Sequence, residues 1–494
     1  MTSNENNPNE PDVSKENPVS ENWVWAGEHR PAIPRALVDQ MTRSWQDVSP
    51  STEVHPAAPF SAKRRDVLAA QFPGTTLVIP TGNPKVRAND TDYPFRPGSD
   101  FFYLTGCSEP DAALVITAKG EAVLYIPRRR DQSTHEFFTN AQYGELWVGA
   151  RRGVVEAALY YDITTAPLEE LPSFLASLEG APVATLRGFD ARIDGLISPS
   201  GDDERLATEL SEQRLIKDSF EIDQLQLAID YTVAGFTDVV RALPAAEGRG
   251  ERVIEGVFNL RARVEGNGVG YSTIAASGSN ATILHWVEND GIVRKGDLLL
   301  LDAGIECNNL YTADVTRTLP ISGTFTPQQR MLYEIVLRAQ EAAMQAVKPG
   351  VAFRHPHEVA MRVITEALVE LGILQMSAEE ALRPDRQLQR RYTLHGTSHW
   401  LGIDVHDCAN ARNDVWTGPL EAGQVLTVEP GLYFQKNDLT VPEEFRGIGI
   451  RIEDDVLVTE DGFRNLSAAL PRDPDEIEAW MAKVWSTGTT NLGL

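Results

Sequence analysis

The chain has 494 residues, of which 42% are hydrophobic and 8% aromatic, enough to build two or three domain cores. Its formal net charge of -26 opposes binding to nucleic acids and to anionic membranes, so we expect neither as a partner. The three cysteines are far apart and lack CxxC spacing, which argues against a disulfide framework and against a structural zinc site.

The N-terminal part of the chain is polar. Residues 1 to about 30 are rich in Asn, Glu, Pro and Ser, which predicts disorder within an N-terminal extension that covers 1–55. This stretch lacks the charged and apolar regions of a signal peptide. No run of about 18 apolar residues occurs either, and we therefore expect a cytoplasmic protein.

A mixed α/β domain is predicted over residues 56–200. A short helical pattern runs from Arg35 to Trp45, and the helix-forming stretch SAKRRDVLAAQF is followed by the apolar strand TTLVIPTG. The stretch ALVITAKGEAVLYIP predicts a hairpin that turns at Lys119 and Gly120. The polar segment LISPSGDDE, residues 196–204, is typical of a linker.

A second domain is predicted over residues 201–494. It opens with the long amphipathic helix QRLIKDSFEIDQLQLAIDYTVAGFTDVVRAL. Short strands alternate with three further predicted helices, from Glu251 to Glu265, from Gln328 to Val347 and from His357 to Leu371.

Four strand-like runs in the second domain each place one acid among apolar residues. They are LLLLDAG with Asp302, YTADVTRT with Asp314, TVEPGLY with Glu429 and GIGIRIED with Glu453. Any one of them alone has an ordinary explanation as a turn residue or a plain ion pair. Four uncompensated carboxylates on buried strands would each be destabilising, so together they indicate a shared function.

The stretch GIGIRIEDD, residues 447–455, poses the charge problem most directly. A single strand of period two would place the isoleucines on one face and Gly449, Arg451 and Glu453 on the other. A buried carboxylate needs a partner or takes up a proton. Either Arg451 neutralises Glu453, or another cation does.

Histidines are concentrated in HGTSHWLGIDVHD, which holds His395, His399 and His406, and a further one, His285, lies earlier in the chain in SGSNATILHW. The spacing of four residues between the first two resembles a helical zinc pair. However, the glutamate of HExxH is missing, and glycines at 396 and 402 weaken a helix, so the protein is not a zincin. A structural role remains the alternative for each histidine.

Four carboxylates and one or two imidazoles suit a pair of divalent ions. Oxygen-rich sites favour Mn, Mg or Co over zinc, which thiolates select. Two divalent ions carry four positive charges, which the four carboxylates cancel. We therefore expect Glu453 to face metal and Arg451 to orient or balance the ligands.

Five segments, in order and spacing, resemble the motifs of the Xaa-Pro aminopeptidase (aminopeptidase P) family. They are SGSNATILH, LDAGIECNNLYTADVTRTLP, HGTSHWLGIDVHD, LTVEPGLY and GIGIRIEDD. The resemblance covers about residues 60 to 475, because DYPFRPGSDFFYLTG is similar to the first domain of that family. It implies an α+β protein in which a mixed α/β N-terminal domain precedes a pita-bread catalytic domain.

The resemblance also implies a ligand set for two metal ions, usually manganese. The residues at the matching positions are Asp302, Asp314, His399, Glu429 and Glu453. Asp314 and Glu453 would bridge the ions, with Asp302 on one side and His399 and Glu429 on the other. The interval from Asp302 to Asp314 is one residue longer than in some relatives, which predicts a longer hairpin turn from Cys307 to Leu310.

The implied reaction is metal-assisted hydrolysis of the bond between the first residue of a peptide and a following proline. Glu429 would accept a proton, and His285 or His406 would hydrogen-bond the reacting carbonyl. His395 and Arg451 complete the predicted catalytic group. His395, Trp400 and Tyr433 are candidates for the proline slot, although core packing explains each equally well.

Three alternatives stay open at this point. A prolidase, which cleaves only Xaa-Pro dipeptides, shares these motifs; a methionine aminopeptidase generally lacks the large first domain. A metal-free protein of the same fold would be a binding module or a creatinase-like hydrolase, but such proteins lose the ligand set. Relatives form dimers or tetramers, so we also expect a homo-oligomer.

Overall fold

The structure is a computed structural model that describes residues 23–24, 32–46, 51 and 53–490. It divides into two compact units, Met1–Asp203 and Glu204–Leu494. The predicted disorder of the N-terminal tail falls almost entirely on residues that lie outside the described ones. Within the described part of the chain, no helix combines the length and the apolar character needed to span a membrane.

The first unit contains nine strands and eight helices among its described residues. The strands are β1 (Trp23–Val24), β2 (Ile33–Pro34), β3 (Thr76–Pro80), β4 (Val86–Ala88), β5 (Thr91–Asp92), β6 (Ala113–Ile116), β7 (Ala122–Ile126), β8 (Thr164–Pro167) and β9 (Val183–Thr185). The helices are α1 (Arg35–Met41), α2 (Ala58–Gln71), α3 (Ser99–Thr105), α4 (Glu136–Thr139), α5 (Glu145–Val148), α6 (Val154–Tyr161), α7 (Leu171–Ala176) and α8 (Ala191–Leu196).

A five-stranded mixed sheet organises this unit, in the order β8-β7-β6-β3-β9. Its three inner strands are antiparallel, and both edge strands pair in parallel. The predicted hairpin is confirmed as β6 and β7. Gly120 lies in its turn with φ 85°, a conformation that glycine adopts without strain. Val78 and Val115 of the sheet pack with Leu171 of α7 and Ile193 of α8.

Ten strands lie in the described part of the second unit, and helix α9 spans the boundary between the units. The strands are β10 (Gly268–Val269), β11 (Ile274–Ser277), β12 (Leu298–Ala303), β13 (Ile305–Glu306), β14 (Val315–Pro320), β15 (Val425–Val428), β16 (Gly431–Tyr433), β17 (Gly449–Arg451), β18 (Asp454–Val458) and β19 (Phe463–Asn465). The helices are α9 (Asp202–Gln213), α10 (Ser219–Ala246), α11 (Glu251–Glu265), α12 (Pro327–Gln345), α13 (His355–Glu370), α14 (Ala378–Ala381) and α15 (Pro474–Ser486).

The four long helices predicted for this unit are confirmed as α10 to α13. Helix α10 starts at a capping box, in which Asp218 and Glu221 satisfy each other's main-chain N–H groups. Residues of all four helices join one apolar core with the strands, exemplified by Phe236, Phe258, Val336 and Ile364. The predicted turn from Cys307 to Leu310 is also present, closed by the N–H of Leu310 on the carbonyl of Cys307 at 2.9 Å.

The strands of the second unit form two three-stranded sheets, β11-β12-β14 and β15-β18-β19, and two pairs, β10-β13 and β16-β17. The ladders β15-β18 and β16-β17 keep one antiparallel register: Val428 faces Asp454, and Gly431 faces Arg451. They are therefore parts of one interrupted ribbon. Continuing its register across the interruption places Glu429 opposite Glu453.

The prediction of one continuous strand through GIGIRIEDD is wrong. The chain leaves β17 after Arg451 and enters β18 at Asp454, with Ile452 and Glu453 in neither strand. On the facing chain the interruption falls at Glu429 and Pro430, and proline has no N–H to give to a ladder. Both glutamates are therefore carried at the gap in the ribbon.

Candidate metal centre

One cavity of about 650 Å³ in the second unit gathers most of the predicted site residues. Nine of the eleven line it: His285, Asp302, Asp314, His395, His399, His406, Glu429, Arg451 and Glu453. These residues lie between positions 285 and 453 of the chain. The sheets and the ribbon bring them together. Trp400 and Tyr433 do not line the cavity.

The two aspartates reach the cavity from neighbouring strands. Asp302 lies near the end of β12, and Asp314 directly precedes β14, the strand that pairs with β12. Glu429 and Glu453 reach it from the gap in the ribbon. Glu453 is tied to β14, because its N–H donates to the carbonyl of Thr316 at 3.1 Å and its Oε2 accepts from the Thr316 hydroxyl at 2.7 Å.

His399 lies on an extended segment that runs beside β15, not on a helix, as the glycines predicted. Its main-chain N–H donates to the Thr427 hydroxyl at 3.2 Å, and its carbonyl accepts from the N–H of Thr427 at 3.0 Å. Its ring Nδ1 donates to the carbonyl of Trp400 at 3.1 Å. That bond leaves Nε2 to face the carboxylates.

Asp314, His399 and Glu453 can each offer one ligand atom, and these atoms lie within 4.8 Å of one another. His399 Nε2 is 3.2 Å from Asp314 Oδ2 and 3.6 Å from Glu429 Oε1. These three ligand types, with the neighbouring carboxylates, are those that bind hard or borderline divalent ions.

The electrostatics of the acids are unbalanced without a cation. Burial, followed by the charge of Asp302, raises the pKa of Asp314 from 3.8 to about 6, although His399 opposes this. Burial and the charge of Asp314 raise the pKa of Glu453 well above its ordinary value. Protein groups alone therefore do not compensate these carboxylates.

The charges of His399 and Glu429, on the other side of the acid cluster, are better compensated. Burial disfavours the charged form of His399, but the hydrogen bond and the charge of Asp314 outweigh it and raise the pKa to about 9. Burial likewise disfavours ionised Glu429, yet its hydrogen bond to His395 outweighs this and lowers the pKa to about 2. His395 Nδ1 lies 3.4 Å from Glu429 Oε2.

Arg451 is bound to Asp302 and not to Glu453. Its Nη2 donates to Asp302 Oδ2, its Nη1 donates to the Tyr433 hydroxyl at 2.9 Å, and its Nε donates to the Thr316 hydroxyl at 3.2 Å. The side chain is 4% exposed. The guanidinium is thus fixed at one edge of the acid cluster, and among the described residues no arginine pairs with the side-chain carboxylate of Glu453.

Two histidines outside the predicted ligand set, His406 and His285, lie on the cavity wall. His406 stacks on His399, with ring centroids 4.0 Å apart and planes at 16°. Burial and the charge of His399 lower the pKa of His406. His285 is exposed and lines the same cavity.

Trp400 and Tyr433, the two residues predicted to bind substrate that do not line the cavity, differ in their contacts. Trp400 is 1% exposed and packs on Phe353 at 4.4 Å between centroids, so core packing describes its position. Tyr433 is buried, but its hydroxyl accepts from Arg451 and lies 2.8 Å from His395 Nε2. It links the arginine to the histidine behind the cavity.

Two residues at the site were missed in the sequence. The Tyr271 hydroxyl lies 2.7 Å from Asp302 Oδ1 and 2.5 Å from Asp314 Oδ1, and Asp455 Oδ2 accepts the main-chain N–H of Asp314 at 3.1 Å. Asp455 could have been found, because it continues the acidic run after Glu453. Tyr271 stands alone before β11, and nothing in its neighbours indicates a site.

The donor set fits a divalent metal. Four carboxylates converge on one cavity, and three of them are at most 7% exposed. Among the described residues a single arginine, Arg451, lines this cavity, and it pairs with Asp302. The raised pKa values of Asp314 and Glu453 indicate charge that a divalent cation would compensate.

Comparison with known proteins agrees with this geometry. Residues 223–460 match the model of metallopeptidase family M24, and residues 61–184 match that of the aminopeptidase P N-terminal domain. Xaa-Pro aminopeptidase 1 of Streptomyces coelicolor is 52% identical over 464 residues, which are 92% of this chain and 93% of that protein. The chain belongs to metallopeptidase family M24.

Solved structures extend the match. The Pseudomonas aeruginosa aminopeptidase PepP is 33% identical with a TM-score of 0.78, covering 88% of this chain and 100% of that one. Aminopeptidase P from Escherichia coli, solved with the inhibitor Pro-Leu, is 33% identical with a TM-score of 0.78, covering 87% and 100%. The predicted α+β fold, with an N-terminal domain before a pita-bread domain, is confirmed. This M24 member is a metalloaminopeptidase with a divalent metal cofactor.

Proposed function

We propose that this M24 member is an Xaa-Pro aminopeptidase that uses two divalent ions, most favourably Mn(II). Its substrates are peptides with proline at the second position. The observation that carries the proposal is the convergence of five donors on one cavity: Asp302, Asp314, His399, Glu429 and Glu453. Relatives named Xaa-Pro aminopeptidases, 50–52% identical over 92% of this chain, support the reaction class.

Asp314 is the ligand best placed to serve both ions. Tyr271 connects it to Asp302 on one side, and His399 connects it to Glu429 on the other. Glu453 stands opposite Glu429 in the ribbon, and one of its oxygens lies within the same 4.8 Å group as Asp314 and His399. Asp314 and Glu453 are therefore the residues that would contribute to holding both ions.

The ions, when bound, lower the pKa of water and polarise the scissile carbonyl. Glu429 accepts a proton in this scheme, because its hydrogen bond to His395 keeps it ionised. His395 is held by a chain of hydrogen bonds: Arg451 donates to the Tyr433 hydroxyl, whose proton is directed to His395 Nε2. Arg451 thereby orients Asp302 directly, and it orients Glu429 through this chain of hydrogen bonds.

His285 and His406 are the groups that contact substrate from the cavity wall. The lowered pKa of His406 keeps its ring neutral near pH 7, so it can donate one hydrogen bond to a carbonyl oxygen without repelling the ions. Apolar side chains on the same wall, Ile274, Leu284 and Val405, offer a surface for a proline ring. Trp400 has no part in that surface.

The remaining sequence predictions stay part of this proposal. They are a cytoplasmic location, a dimer or tetramer, and domains at 1–55, 56–200 and 201–494. The division into units at Asp203 and Glu204 supports the last boundary.

Cleavage kinetics test the function. Metal-depleted protein, with and without added Mn(II), is given Xaa-Pro-Yaa tripeptides, Xaa-Pro dipeptides and, as a control, Xaa-Ala-Yaa tripeptides. We expect manganese-dependent release of the first residue from Xaa-Pro-Yaa tripeptides, whether or not the Xaa-Pro dipeptides are also cleaved. Cleavage of the dipeptide only would identify a prolidase, and equal cleavage of the alanine peptide would remove proline specificity from the proposal.

A further inference from the structure

We propose that Glu251 is a positioning residue that holds the loop from Ser277 to Gly291 so that His285 faces the cavity. This inference rests on the proposed function, in which His285 contacts substrate. Glu251 lines no part of the cavity itself and acts through the loop.

The loop needs an anchor because little regular structure holds it. After a short 3-10 turn at Gly278–Thr282, the chain forms neither helix nor strand until β12 starts at Leu298. His285 lies in this irregular part and is exposed. Few main-chain hydrogen bonds hold this part, among them that of the Val287 N–H to the carbonyl of His285 at 3.1 Å and that of the Glu251 N–H to the carbonyl of Gly291 at 2.9 Å. Side-chain contacts therefore contribute much of the anchoring.

Glu251 supplies these contacts from the first residue of α11, where it is fully buried. Its Oε1 accepts from the N–H of Ser277 at 2.6 Å and from Asn280 Nδ2 at 2.9 Å. Its Oε2 accepts from Trp286 Nε1 at 2.7 Å and from the N–H of Gly291 at 2.8 Å. Two donors precede His285 in the chain and two follow it, so one carboxylate clamps both sides of the histidine.

The four partners are all uncharged donors, which makes the contact specific for a carboxylate. An ionised carboxylate accepts about four hydrogen bonds, and these use its full capacity. The N-terminal end of α11 also favours a negative charge at this position. In Glu251→Gln the amide NH₂ would point at an N–H group that already donates, and one pair of contacts would be lost.

Two further features show how closely the loop is fitted. A Cβ at Gly291 would lie 2.3 Å from Asn280 Nδ2 and 2.6 Å from Glu251 Oε1, so a side chain has no room there. Asn289, also fully buried, accepts from the N–H of Ala275 and donates to the carbonyl of Thr273, both at 2.9 Å. The clamp is thereby tied to β11, which pairs with the strand that carries Asp302.

The experiment compares Glu251→Gln with the control Glu255→Gln, one helical turn further along α11. We expect Glu251→Gln to lower kcat/KM for an Xaa-Pro-Yaa peptide by about 10- to 100-fold, because a misplacement of about 1 Å can cost about 100-fold, with metal content unchanged. Glu255→Gln is expected to match wild type. In a His285→Ala background, adding Glu251→Gln should change kcat/KM by less than about twofold, because coupled residues do not add.

Hydrogen–deuterium exchange gives a readout independent of activity. Faster exchange confined to peptides covering residues 277–291 is expected in Glu251→Gln. Wild-type exchange in that segment, loss of metal, or a full additional loss of kcat/KM on top of His285→Ala would overturn the positioning role. If wild type does not cleave Xaa-Pro peptides, the proposed function fails, while the exchange result still decides whether Glu251 anchors the loop.

Discussion

Two buried arginine–aspartate pairs lie on neighbouring strands of the second unit, and they differ in how completely their charges are matched. Arg317 and Asp454 are both 0% exposed and joined at 2.7 Å. Each of the five N–H groups of Arg317 has a partner, among them the carbonyl of Glu453 at 2.6 Å. Asp454 also accepts from Gln340 and Asn465 and lies 3.2 Å from Arg472.

The Arg451–Asp302 pair belongs instead to an open network. Beside it stand Asp314 and Glu453 with raised pKa values, and the arginine does not reach Glu453. The network around Arg317 and Asp454 is closed, because its charges and hydrogen bonds are satisfied within the protein. In the open network the negative charges are compensated only when cations are added. This difference separates a structural ion pair from a functional one, although Arg451 and Asp454 lie only three positions apart in the sequence.

The largest expected effect is on activity, from Glu453→Gln. Loss of a metal ligand should lower the metal content and reduce kcat/KM by more than about 100-fold. This exceeds the largest effect usual for residues that only orient the metal ligands. The metal-free variant should be more stable than metal-free wild type, because it removes the cost of burying the Glu453 carboxylate as a charge or of protonating it. Chemical denaturation of metal-free protein and metal analysis check both results; a less stable, fully active variant would contradict the open network.

Arg317→Met is the counterpart in the closed network. It leaves Asp454 buried and under-compensated, so the free energy of unfolding should fall by about 3–5 kcal/mol. The control Arg383→Met breaks an exposed pair with Asp385 and should cost at most about 1 kcal/mol. Urea denaturation measures both. Equal small losses would mean that the buried pair contributes no more than a surface pair.

The site also predicts the pH dependence of metal-free protein. Asp314 has its pKa raised from 3.8 to about 6, and His399 from 6.5 to about 9, so both favour the folded state when protonated. The stabilisation is complete below pH 3.8 for Asp314 and below 6.5 for His399, and it is lost as pH rises through about 6 and about 9. Metal-free Tm should therefore fall between pH 5 and pH 9.

Adding Mn(II) should reduce that slope, because the metal replaces the protons. The variant Asp314→Asn should remove the part of the slope near pH 6 and also reduce the part near pH 9, because Asp314 raises the pKa of His399. A metal-free Tm that rises steadily from pH 5 to pH 9 would contradict the description of these acids as uncompensated.

The smallest expected effect on catalysis comes from Trp400→Phe. The ring is buried against Phe353 and not in the cavity, so the variant should lose about 1–3 kcal/mol of stability by leaving a small void. Metal content and KM should match wild type. Thermal melting and peptide kinetics together check this; a raised KM at unchanged stability would place Trp400 in the proline slot after all.

The sequence predicted the long helices and the types of residue at the site because both depend on local pattern. It did not predict the gap at Glu429 and Glu453, since a strand that changes sheets keeps the same alternation on both sides. Tyr271 was missed because its contacts with Asp302 and Asp314 arise from pairing between distant segments. Trp400 was left undecided for the opposite reason: its neighbours in the chain are site residues, but its neighbours in space are apolar.

We propose that two divalent cations complete the open network around Arg451 and Asp302. Titration of metal-depleted protein with Mn(II), followed by calorimetry and elemental analysis alongside peptide cleavage, tests it most directly. The account predicts two ions bound per chain in wild type, activity that follows their binding, and fewer than two ions in Glu453→Gln. Full activity with no bound ion, or an unchanged stoichiometry of two in Glu453→Gln, would contradict it.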